Sequence, residues 1–211
     1  MKIIYFVILL LFFLSCNHAE RSEKGMQLSD SMTLDIPKNK KGELTELYKY
    51  LVYDRSVLGG LDSLESGFPT LELRIWFEYS DGVDRHLIVI KKLEHWIAEC
   101  YTYAFQVKND SVVVSKKNIW YPIPKTGWNK FIDSLKTLGI LDLPDQSKIP
   151  GMFYHYNENN VQIEVAQKNF YRFYSYTAPR KHLEKFQEAR KIEDIMTVIE
   201  AELGFRRLEP I

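Results

Sequence analysis

Residues 43–211 predict an α+β domain, an antiparallel sheet of about six or seven strands with three amphipathic helices. Three observations carry this. Short runs alternate polar and apolar residues on the strand period of two. Asp81-Gly82 and Asn109-Asp110 separate neighbouring runs in the manner of hairpin turns. Three longer stretches instead repeat apolar residues every three or four positions, before, between and after the strand clusters. Helices segregated from runs of strands belong to α+β rather than α/β architectures.

In chain order, Leu44, Leu47, Tyr48, Leu51, Arg55 and Leu58 mark the first helix, which Gly59-Gly60 stop. The runs 71–79, 85–92, 95–108 and 111–115 follow as a four-stranded meander, and Pro122 and Pro124 end it. Trp128, Phe131, Ile132, Leu135 and Leu138 give the second helix, with Gly139 and Ile140 placed as a C-cap. A second β unit is expected at 153–156, 161–165 and 170–176. Thr177 and Pro179 then suit the N-cap and first turn of the last helix. Its apolar stripe is Leu183, Phe186, Ala189, Ile192, Ile195, Ile199 and Leu203, and Gly204 ends it.

Ahead of the domain, Lys2 precedes a continuously apolar run from Ile3 to Leu14, and Ser15-Cys16 closes it. This is the layout of a secretory signal, with a core of about a dozen residues where a membrane span needs about 20. Leu14-Ser15-Cys16 resembles the lipobox of bacterial lipoproteins, with Phe13 where that pattern has leucine. The resemblance covers residues 1–16 and implies that 1–15 is a signal peptide and that Cys16 is acylated and becomes the mature N-terminus. Two or three acyl chains anchor stably where one is marginal. The implied address is the bacterial cell envelope, at the outer membrane, facing the periplasm or the exterior. Residues 16–42 carry no sustained period and read as a flexible tether.

The chain holds 28 Lys+Arg against 28 Asp+Glu, and losing the leader removes only Lys2. Without a basic block, nucleic acid is not an expected partner. With Cys16 lipidated, Cys100 stands alone in a strand-like run and reads as a buried, inert thiol. Zinc, nucleophile-elbow, phosphate-loop and calcium-loop motifs are absent from the sequence, and no cofactor or metal is expected. His86, His95 and His155 would need to converge with Glu94 or Glu99 to build a metal or hydrolytic site.

The tyrosine-rich strands offer a different candidate. Arg74 and Trp76 share one strand face, as do Tyr101, Tyr103 and Phe105, and as do Arg172, Tyr174 and Tyr176. Such ladders suit a protein- or glycan-binding surface, or equally a core beneath the helices. Four Asp-Ser-apolar tripeptides, at Asp30, Asp62, Asp110 and Asp133, resemble the O-glycosylation acceptor of exported proteins in one group of Gram-negative bacteria. The expected function is a lipid-anchored, non-catalytic binding module for an envelope protein or glycan. A histidine/carboxylate periplasmic hydrolase and an envelope inhibitor or immunity-type protein are the alternatives.

Overall fold

The computed structural model describes residues 31–79, 84–155 and 158–207. The leader, Cys16, the tether up to residue 30 and the turn Ser80-Asp81-Gly82 lie outside the described residues.

Among the described residues the α+β fold has a seven-stranded sheet of order β1-β7-β6-β2-β3-β4-β5 and three α-helices. Strand β2 (Glu72–Glu78) is central, hydrogen-bonded to β3 (Asp84–Lys92) on one side and β6 (Asn160–Gln167) on the other. Strands β4 (Trp96–Lys108) and β5 (Ser111–Trp120) continue the antiparallel meander that the alternation predicts. The hairpin of β6 and β7 (Phe170–Thr177) extends the opposite side, and β1 (Thr33–Asp35) closes that edge in parallel with β7.

Side chains alternate along each strand, so both sheet faces are built at once. One face, with Leu73, Ile75, Ile88 and Ile163, packs under α2 (Trp128–Thr137) and α3 (Gln187–Leu203) through Phe131, Leu135, Ile192 and Ile199. On the other face, α1 (Glu46–Leu58) lays Tyr48, Leu51 and Leu58 over Trp76, Leu87, Tyr101, Tyr103 and Phe173. Gly139, at φ 89°, ends α2 as expected, and the Ile140 N–H donates back to Leu135 O at 3.1 Å. Gly67 is needed for another reason: a Cβ there would lie 2.4 Å from Lys168 O, where the loop after α1 presses on the β6–β7 turn.

The structure departs from the sequence expectation in four places. Residues 31–42 are not all tether, because Thr33–Asp35 join the sheet and Asp35 pairs with Lys148 (2.8 Å) and Arg172 (3.1 Å). A three-residue strand is too short to display a period. Residues 152–155 are irregular rather than a strand. Two side chains occupy the β7 edge there instead: Asp145 accepts from the Ser175 N–H at 2.9 Å and Gln146 from the Thr177 N–H at 2.6 Å. Strand β5 runs on to Trp120, past the polar sequence at 116–118 that interrupts the apolar pattern, as suits an edge strand. Lastly, Thr177 ends β7 rather than capping a helix. Ala178 turns left-handed (φ 46°, ψ 49°), Pro179–His182 form a 3-10 turn, and α3 begins only at Gln187.

Candidate functional site

The residues expected to form an open aromatic surface are covered. Arg74 and Trp76 are each 2% exposed, Tyr101 6% and Tyr103 1%, all beneath α1. Tyr174 and Tyr176 are fully buried on the opposite face, and their hydroxyls donate to Ile140 O and Pro144 O, both at 2.6 Å. Arg172 lies against the Tyr174 ring and donates to Leu141 O at 3.0 Å. The physical reason is geometric. Helices on both faces leave none of these ladders open, and the structure does not bring the three sets together on one surface.

What the face under α1 does hold is charge. Glu164, with no exposed surface, accepts from Arg55 at 3.1 Å, from Trp76 Nε1 at 2.8 Å and from the Tyr171 hydroxyl at 2.9 Å. Burial pushes its carboxyl above the ordinary value, opposed by the charges of Arg74 and Arg55 and by those donors. Arg55 also reaches Glu65 at 2.6 Å, and the Tyr48 hydroxyl donates to the same oxygen at 2.6 Å. Burial alone would raise Glu65, but the bonds from Arg55, Ser63 and Tyr48 outweigh it and hold the carboxyl at about 2. Alongside, Arg74 pairs with Glu72 at 2.8 Å and donates to Asp62 O at 2.8 Å. The α1 helix is thus pinned to the sheet by ions as well as by packing.

A second ionic cluster has too few cations. Asp54 of α1 and Glu78 of β2 both accept from Arg85 Nη1, whose guanidinium lies 4.9 Å from the Phe105 ring centre. Burial raises Asp54 to about 7, with Arg85 pulling down and Glu78 pushing up. A raised carboxyl holds a proton in the folded state that the unfolded chain has released. Stability therefore falls as pH climbs from about 4 to about 7, then levels. Asp54→Asn is expected to remove most of that slope, so that urea midpoints at pH 5 and pH 8 lie closer together in the variant than in the wild type.

The three candidate histidines stay apart. His86 shares a 2.8 Å hydrogen bond with the Tyr79 hydroxyl, His95 is exposed beside the β3–β4 turn, and His155 packs against His182 with ring centres 5.0 Å apart. Among the described residues no three His, Cys, Asp or Glu side chains gather closely enough to hold a metal ion. Cys100 is fully buried, and burial pushes its thiol up to about 12, far from the thiolate a nucleophile needs. Of the Asp-Ser pairs, Asp110-Ser111 sits exposed on the tight β4–β5 turn, where Asn109 and Asp110 both take positive φ.

One concave feature was not foreseen. At the end of the sheet beyond Phe77 and Tyr79, a cavity of about 100 Å3 opens between the start of β6, the turn at Ala178–Lys181, Glu193 of α3 and Arg207. Five separated segments build it, so no local pattern announces it.

No protein-family model matches this chain, and no curated protein matches it in sequence.

Proposed function

We propose that the protein is a lipid-anchored, non-catalytic binding module of the bacterial cell envelope, held to the membrane through acylated Cys16. The observation that carries the anchoring is the leader itself, a charged start, a short apolar core and a cysteine directly after Leu14-Ser15. Because the sheet takes up the chain from Thr33, only fourteen residues separate Cys16 from Ser31.

Binding rather than catalysis is favoured by how the reactive groups are used. The strongly perturbed carboxylates lie in ion pairs that hold α1, the thiol is buried, and the three candidate histidines are dispersed. The histidine-based hydrolase alternative finds no support in that arrangement. The inhibitor or immunity-type alternative is one form of the same binding role.

Labelled palmitate tests the anchor. The full chain, expressed in a bacterium, is expected to take up label and sediment with membranes, and Cys16→Ser to do neither. Label entering the Cys16→Ser variant, or a wild type that never takes it up, overturns the reading.

A further inference from the structure

The cavity past the end of β2 has an apolar floor and a charged mouth. Phe77, Tyr79 and Val161 form the floor, none more than 8% exposed. Across the mouth, Lys181 pairs with Glu158, so the turn after β7 is clasped to the chain entering β6. Arg180 pairs with Glu193 at 3.2 Å, and Arg207 is held from inside by Glu193 and Glu200, each at 3.0 Å. Two of the three cations stand outermost: the Arg180 and Lys181 side chains are 45% and 55% exposed, against 13% for Glu193 and 34% for Glu158, while Arg207 is 9% exposed.

Two further features mark this wall. Ala178 holds a left-handed conformation that disfavours any residue with a Cβ, and its N–H is fixed to Asn159 O at 2.8 Å. Backbone strain of this kind persists only where the surroundings impose it, and it clusters at ligand clamps. Asn160, whose Nδ2 faces Glu78 at 3.4 Å, has a buried Oδ1 with no donor in the protein. One hydrogen bond of the wall is left unmade.

Size and chemistry select the occupant. Drug-sized ligands need about 300–1,000 Å3, and an apolar cavity of about 150 Å3 takes a benzene ring. About 100 Å3 therefore suits a single branched aliphatic side chain. A sugar ring would press hydroxyls onto Phe77 and Val161, which offer them no side-chain partner. The outward cations call for a carboxylate beside that aliphatic group, and an exposed ion pair such as Lys181–Glu158 is weak enough to exchange for it.

We propose that this cavity is a peptide anchor site: it receives one Val, Leu or Ile side chain, while Lys181 and Arg180 take the adjacent carboxylate, from a chain terminus or a neighbouring acidic residue. The inference rests on the binding-module reading and narrows its ligand from protein or glycan to protein.

Fluorescence anisotropy on the full chain in detergent tests it with two labelled probes, a peptide ending in a free-acid leucine and an amidated peptide with an internal Leu-Glu pair. Saturable binding of the first, lost on amidation, identifies a terminus. Binding of the second, lost when its Glu becomes Gln, identifies an acidic neighbour. In either case leucine-to-glycine in the probe is expected to weaken binding roughly ten- to hundredfold. Lys181→Glu, at an exposed position, is expected to weaken it at least about fivefold with an unchanged melting temperature. Val161→Phe, which fills the floor, is expected to abolish it. No saturable binding of either probe, binding indifferent to the leucine, or full binding by Lys181→Glu overturns the proposal. The palmitate experiment is independent of all of these, so failure of the anchor site and failure of the anchoring reading are separable.

Discussion

Replacing Glu164 with leucine is expected to destabilise the domain by about 3–5 kcal/mol, the usual cost of removing one partner from a buried ionic network. Nothing at this position is near water. The carboxylate is the acceptor for Arg55, Trp76 Nε1 and Tyr171, and Arg74 lies close enough to lower its pKa. Leucine leaves the indole donor buried without a partner, takes one acceptor from the Tyr171 hydroxyl, and leaves two guanidinium groups with one counter-charge fewer. For a domain of this size the melting temperature should fall by roughly 6–20 °C. Pairing Glu164→Leu with Arg55→Met should recover part of the loss, because the stranded charge is what costs most. A single variant within about 1 kcal/mol of wild type in urea unfolding would show that the network is not what holds α1 down. Acid should act on the same contact from another side. Glu65, held at about 2, contributes stability above its ordinary value near 4.5 and loses it as pH falls through that interval.

The second large effect is expected at Asp145. It is 1% exposed and accepts four hydrogen bonds: from the Ser147 N–H and the Tyr154 hydroxyl on one oxygen, and from the Ser175 N–H and hydroxyl on the other. Asp145→Ala strips an acceptor from a buried backbone N–H of β7, which by itself costs about 1–3 kcal/mol, and loosens the 3-10 turn through Ser147 as well. A total of about 3 kcal/mol is expected in urea unfolding. Amide exchange at Ser175 and Thr177 should accelerate more than exchange in β2. Because the carboxylate and Gln146 stand in for a strand along this stretch of β7, Asp145→Ala should also self-associate more as concentration rises. Wild-type exchange rates at Ser175 in the variant would contradict that role.

The elements that were legible in the sequence share one property, a period repeated often enough to read. The meander over β2–β5 and the stripe of Ala189, Ile192, Ile195 and Ile199 follow directly from it. A period of two says which residues share a face, and it is silent on what covers that face. Arg74, Trp76, Tyr101 and Tyr103 do share one, as their spacing requires, but α1 lies over it. Nor does alternation over 161–165 announce the ion pair of Glu164, whose partner Arg55 lies 109 positions earlier on a helix. Of the strand expected at 153–156, the described residues 153–155 are irregular, and the place on the β7 edge is taken by two polar side chains from Asp145-Gln146. The cavity needs five segments to assemble, so it belongs to tertiary structure alone.

Strand β1 has a mechanical meaning. A pull on the chain ahead of Thr33 meets first three residues of parallel pairing and the two ion pairs of Asp35. Peeling that clip back to Thr45 would free a segment about 40 Å long when extended, at roughly 3.3–3.6 Å per residue. A fold held through such a release lengthens before it breaks.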